Sequence, residues 1–163
     1  MKMREEKFPR VSGFGSVDPA PPSPDTNISE LKEVLLDSDE RMFQRMRAVF
    51  SLRNIGGKEA VNALCSGFSC KSALLKHELA YVLGQMQDSS ALPALVGILD
   101  DVEEHVMVRH EAAEAMGAIG DMRIESTLRK HLDDPNPEIS ESCEVALDLL
   151  YFSQSPDAAE TNW

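Results

Sequence analysis

The sequence predicts an all-α fold, a solenoid of four stacked helical hairpins, on three observations. Composition favours helix over strand, since Ala, Leu, Glu and Met are plentiful and aromatics are only 6%. From Ile28 onward apolar residues recur at three- and four-residue spacing, and Gly, Pro and Asp clusters separate the segments. The segments then repeat. Met46-Arg47-Ala48-Val49-Phe50, His77-Glu78-Leu79-Ala80-Tyr81, His110-Glu111-Ala112-Ala113-Glu114 and Glu141-Ser142-Cys143-Glu144-Val145 align without gaps, in steps of 31, 33 and 31 residues. A two-helix unit of that length cannot bury its apolar face alone, so successive units stack.

Residues 1–27 differ from the rest. Pro9, Pro19, Pro21, Pro22 and Pro24, with Gly13, Gly15 and several Ser, disfavour helix and offer little to bury. They read as a linker or disordered arm. Eight helices follow, near 28–36, 40–55, 58–67, 72–86, 89–99, 105–119, 122–132 and 136–152, making one repeat domain over 28–152. The clearest break is Asp133-Asp134-Pro135-Asn136-Pro137, because each Pro disfavours helix at the residue before it. Residues 153–163 read as a disordered tail.

Charge narrows the partners. A net charge of −12 repels phosphate backbones and anionic lipid, so neither nucleic acid nor a membrane surface is expected. Basic partners or cationic ligands fit better, although the charge can equally serve solubility alone. No apolar run is long enough to span a bilayer, and Met1–Arg10 lacks the apolar core of a secretory signal. The three cysteines, Cys65, Cys70 and Cys143, are odd in number and have no C-x-x-C spacing. That fits a reducing, cytoplasmic setting in which they act as small apolar fillers.

Of the four histidines, only His77 and His110 occupy the same place in successive repeats, and each is followed by Glu. His105 and His131 read as surface residues. Neighbouring helices pack roughly 8–10 Å apart, which would set His77 beside His110 on the inner wall, with Glu78 and Glu111 next to them. Imidazole and carboxylate without thiolate suit non-haem iron, manganese or zinc. Two His and two Glu fill one site of three or four ligands, or half of a two-metal site. Gly84 stands inside a helix, where Gly costs about 1 kcal/mol against Ala. Either close substrate approach or tight helix packing would explain it, and Gly117 matches it one repeat on. Met107 opens the His110 helix, either as a core residue or as part of a substrate channel.

The flanks of the two motifs carry a resemblance. Ser72-Ala73-Leu74-Leu75-Lys76-His77-Glu78-Leu79-Ala80-Tyr81-Val82-Leu83-Gly84-Gln85-Met86 and Met107-Val108-Arg109-His110-Glu111-Ala112-Ala113-Glu114-Ala115-Met116-Gly117 resemble the His-Glu repeats of the deoxyhypusine hydroxylases. These are HEAT-like repeat enzymes of two similar halves, and the likeness runs over about residues 13–150. Ser16-Val17-Asp18-Pro19-Ala20-Pro21-Pro22 resembles the end of their inter-half linker, so the chain looks like the second, C-terminal half. The resemblance implies a di-iron monooxygenase, with two Fe(2+) per complete site between the halves. It implies O₂-dependent hydroxylation of the deoxyhypusine residue of eukaryotic translation initiation factor 5A to hypusine.

By the same likeness His77, His110 and Glu111 are iron ligands. Glu78 either ligates or holds the cationic amine of the substrate, with Gly84 and Met107 as further substrate contacts. Half a site needs completing, by a homodimer or by the missing N-terminal half. The competing reading is a catalytically incomplete, half-length HEAT-repeat binding protein, which the linker-like start favours. A chromophore-lyase relative shares the repeat type, but the His-Glu pairs and their flanks argue against it.

Overall fold

The computed structural model describes residues 11–161, so residues 1–10 of the expected arm and the last two of the tail lie outside the described residues. Eight α-helices are present without strands among those residues: α1 Ile28–Leu36, α2 Met42–Ile55, α3 Gly57–Ser66, α4 Ala73–Met86, α5 Leu92–Asp100, α6 Val106–Ile119, α7 Glu125–Lys130 and α8 Pro137–Ser153. These are the expected four hairpins, α1/α2, α3/α4, α5/α6 and α7/α8.

Local chemistry explains the boundaries. The side chains of Asn27, Ser72 and His105 accept hydrogen bonds from the backbone N–H groups of Glu30, Leu75 and Met107, capping α1, α4 and α6. His105 is exposed, as expected. The segments predicted to begin at 89 and 122 open as 3-10 turns, Ser89–Ala91 and Met122–Ile124, before the α-helix starts. In each, the preceding Asp88 or Asp121 accepts from the backbone N–H two residues on, at 2.9 and 3.0 Å. Gly120 ends α6 at φ 74°, a left-handed conformation that suits glycine. Past α8, where a disordered tail was expected, the chain makes one more 3-10 turn, Pro156–Ala159.

The even-numbered helices form one layer, with α4 packed along α6 and α6 along α8, and α1, α5 and α7 each pack against the even-numbered helix of their own hairpin. Phe50, Leu79, Leu83, Met116 and Leu128 are fully buried in a core running the length of the described domain. Burying each such side chain stabilises by about 1.5–3 kcal/mol.

The helix-interior glycines are crossing points. A Cβ at Gly84 would lie 3.0 Å from the Ala115 Cα, and one at Gly117 would lie 2.9 Å from the Ala146 Cα. Neither backbone can retreat without parting two helices. Gly117→Ala is therefore expected to lower unfolding free energy by about 1–3 kcal/mol, although helix propensity alone favours Ala. Urea denaturation checks this, and a stabilised variant would refute the crossing as the reason for glycine.

The Pro-rich segment crosses α2 as turns and irregular chain. Proline has no N–H, so the polar groups to be satisfied there are carbonyls. Arg47 donates to the Pro21 and Pro22 carbonyls, both at 3.2 Å, and Ser51 Oγ donates to that of Ser23 at 2.9 Å. Asp18 holds Arg53 through two bonds of 2.7 and 3.0 Å, while Phe14 lies 4.5 Å over the same guanidinium. These residues form an arm strapped to the repeat layer.

A second device recurs between repeats. Arg45 and Arg109 each donate Nε–H to a carbonyl near the end of the preceding helix, Leu35 in α1 and Leu99 in α5, both at 2.9 Å. A cation there satisfies orphan acceptors and suits the helix dipole. Arg109 also pairs with Asp134 of the next repeat at 2.8 Å, and Lys76, which aligns with both arginines, pairs with Glu104.

Candidate metal centre

Register on two helices builds the site. His77 lies in the second turn of α4 and His110 in the second turn of α6, and the contact between those helices brings their ring centroids to 6.1 Å with planes 30° apart. Glu111 follows His110 and turns back towards α4. Its Oε2 is 3.1 Å from His77 Nε2 and 3.6 Å from His110 Nε2. The nearest ligand atoms of His77, His110 and Glu111 lie within 4.8 Å of one another. This donor set fits a metal ion. Two imidazoles and one carboxylate, converging and partly open to solvent, suit a cation of the non-haem iron, manganese or zinc type with free coordination positions.

The surroundings orient the donors. His110 Nδ1 lies 3.0 Å from Ser142 Oγ and 3.2 Å from Glu114 Oε1. A proton on Nδ1 held by Glu114 leaves the Nε2 lone pair facing Glu111 and His77. The hydrogen bond to Glu111 raises the His77 pKa, against the opposing effect of burial. Burial also raises the pKa of Glu78, an effect that His77 opposes and Glu111 reinforces.

The four expected ligands thus separate. His77, His110 and Glu111 come together, whereas Glu78 is not among the converging atoms. Its neighbours in charge are His77, Glu111, Asp18 and Arg53, between the site and the arm. Gly84 lines a groove of about 500 Å³ between α4, α6 and α8, together with Glu111, Glu114, Tyr81 and Phe14. Its lack of a side chain is accounted for by the Ala115 crossing. Met107 is not a core residue, since it is 43% exposed one turn before His110.

The expectation for His131 is corrected. It is buried, with Nε2 2.6 Å from Asp100 Oδ1, and ties α7 to the end of α5. Ser142 and Glu114 were missed, though signals existed. Ser142 aligns with Glu78 and Glu111 in the repeat, and Glu114 stands four residues after His110 on one helix face. The cysteines are free, and burial pushes the Cys65 and Cys143 thiols up to about 11, in keeping with inert fillers.

Fold and site together define a HEAT-like repeat protein carrying a His-His-Glu donor cluster. A family model described as PBS lyase HEAT-like repeat matches residues 44–70, 75–101 and 108–134. By sequence and fold the chain is similar to the deoxyhypusine hydroxylases. It is 50% identical over 142 residues to the deoxyhypusine hydroxylase of Mus musculus, covering 87% of this chain and 47% of that protein. It is 48% identical over 151 residues to deoxyhypusine hydroxylase-B of Oryza sativa subsp. japonica, covering 92% of this chain and 50% of that one. The structure of human deoxyhypusine hydroxylase in complex with glycerol superposes with a TM-score of 0.85 at 48% identity, over 88% of this chain and 50% of that one. The chain therefore spans about half the length of these relatives.

The phycocyanin lyase complex of Nostoc is similar at a TM-score of 0.59 and 23% identity, over 82% of this chain and 55% of that one, a likeness of fold alone. No helix among the described residues is long and apolar enough to cross a membrane.

Proposed function

We propose that this chain supplies one half, the C-terminal one, of an iron centre of the deoxyhypusine hydroxylase type. The observation that carries the reading is the convergence of His77, His110 and Glu111 from successive repeats, in a chain about half of whose residues are identical to those enzymes where aligned. The reaction would be hydroxylation of the deoxyhypusine side chain of eukaryotic translation initiation factor 5A, with iron, when bound, supplying the activation of O₂.

The chain's own residues have separable tasks. His77 and His110 offer imidazole nitrogens, and Glu111 supplies negative charge between them. Ser142 and Glu114 fix the His110 ring. Glu78, whose pKa burial raises, would hold the protonated amine of the substrate, since an arriving cation offsets the cost of burying that carboxylate. The groove past Gly84 is lined by small, aliphatic and aromatic side chains with Glu111 and Glu114 among them, and suits an aliphatic amine chain. Met107, exposed one turn before His110, would meet the substrate outside that groove. Three converging donors serve one metal, so a pair of irons needs further ligands from a second copy or from a complementary half.

Anaerobic loading with Fe(II), read as iron content together with solution mass, tests this. The expected result is about one iron retained per chain in a dimer, or in a complex with the complementary half, and its loss in His110→Ala. A monomer that retains no iron, alone or with that half present, would sink the proposal and leave a half-length repeat protein that only binds partners.

A further inference from the structure

A second cavity lies between the end of α1, the start of α2 and the N-terminus of α4. It encloses about 580 Å³ and is lined by Leu36, Ser38, Arg45, Ser69, Cys70, Lys71 and Ser72. Its defining residue is Arg45, which is only 6% exposed. Nε–H is committed to the Leu35 carbonyl. The two terminal nitrogens have no protein partner among the described residues, no carboxylate pairs with them, and each keeps a little solvent contact at the cavity.

The repeat makes this an exception. Arg109 and Lys76, at the same register position, are neutralised by Asp134 and Glu104 of the following repeat. Asp134 stands 25 residues after Arg109 and two before the N-cap of α8. The residue 25 after Arg45, two before the N-cap of α4, is Cys70. A thiol thus stands where the next-but-one repeat has a carboxylate, and Lys71 adds a second cation.

A guanidinium so nearly enclosed, with no anion beside it, keeps only the hydration that the cavity admits, and an anion entering there would replace it at low cost. In a chain of net charge −12, two uncompensated cations on one cavity are also unlike the rest of the surface. The nearby acids do not serve them. Asp37 and Asp39 are exposed, and Asp37 accepts from the Asp39 backbone N–H in its own turn.

Ser72, at the end of the lining, caps α4, a helix of 14 residues whose first N–H groups, those of Ala73 and Leu74, have no intrahelical partners. The Ser72 hydroxyl oxygen accepts from Leu75 N–H, leaving its own proton to give. We propose that this cavity binds a phosphate-type dianion, gripped by Arg45 and Lys71 and seated on Ser72 and the N-terminus of α4. A dianion fits better than a single carboxylate, because two cations face the cavity where each neighbouring repeat presents one.

Thermal-shift and calorimetric titrations of the full, chelator-treated chain with inorganic phosphate, at constant ionic strength against chloride, test the site. Saturable binding of phosphate is expected, weakened by about tenfold or more in Lys71→Ala, an exposed position that leaves the fold intact. Cys70→Asp should restore the internal pair, abolishing phosphate binding while raising the melting temperature. O-phosphoserine separates the sources. Binding matching that of phosphate assigns the cavity to a phosphorylated side chain, and binding of inorganic phosphate alone assigns it to the free ion. Phosphate acting no differently from chloride overturns the proposal, as does full binding retained in a folded Cys70→Asp.

Discussion

Arg109→Met is expected to lower the free energy of unfolding by about 3–5 kcal/mol at neutral pH, the cost of breaking a buried ion pair from one side. Arg109 is 2% exposed, and the Asp134 carboxylate is almost equally sealed. The substitution retains apolar volume but strips two acceptors, the Leu99 carbonyl and Asp134 Oδ2. Burial pushes the Asp134 pKa up. The Asn136 backbone N–H and the Arg109 guanidinium outweigh that and hold it below the usual carboxylate value. A lowered folded pKa means stabilisation that is present at neutral pH and lost as pH falls through that pKa. The gap between wild type and variant should therefore narrow in acid. Arg109→Lys should recover only part of the loss, since a point charge cannot serve both acceptors as a fork does. Urea denaturation at neutral and acidic pH reads all three, and a neutral-pH loss under about 1 kcal/mol would place the pair among solvent-screened ones.

The same pair shows why the fold was more legible than the site. Helix boundaries follow from local signals, periodicity and breakers, so the predicted and observed helices differ mainly where Asp88 and Asp121 convert a first turn to 3-10. Repeat register also brought His77 next to His110, because equivalent positions on stacked helices share a face. What register alone left open was the direction in which each Glu points. Glu111 reaches back one helix to His77, and Ser142, at the equivalent position, reaches back to His110. Glu78 holds the equivalent position, but the residue in register on α2 is Met46, which offers no polar partner. The separation of Glu78 from the cluster was thus readable in the repeat once the rule was known. The strapping of residues 14–23 onto α2 was not, because it depends on carbonyls of a Pro-rich segment finding Arg47 and Ser51 across the fold. The burial of His131 likewise rests on Asp100, 31 residues away.

Glu111→Leu is expected to have effects of different size on the metal-free and metal-loaded protein. Without metal, Glu111 is a buried carboxylate close to Glu78 and Glu114, compensated by contacts to His77 and His110. Replacing it with an apolar side chain of similar length should change metal-free stability by no more than about 1 kcal/mol, since desolvation of such groups often cancels their attraction. With metal the contrast appears. Ligand at a hundredfold excess over its dissociation constant stabilises wild type by about 2.7 kcal/mol, and a variant that has lost the converging carboxylate should gain almost nothing. Ser142→Ala keeps all three donors and loses only the hydroxyl on His110 Nδ1. It should weaken metal binding by about 10–100-fold, the usual effect of freeing a ligand ring. Anaerobic thermal shifts with Fe(II), and with Co(II) as a spectroscopic probe, measure both. Equal stabilisation of wild type and Glu111→Leu would mean that the carboxylate is a structural partner of the two histidines, and that metal, if held, is held elsewhere. A graded series, with wild type above Ser142→Ala and Ser142→Ala above Glu111→Leu, would assign the donors and their support separately, because no purely structural role of Glu111 makes the stabilisation depend on metal concentration.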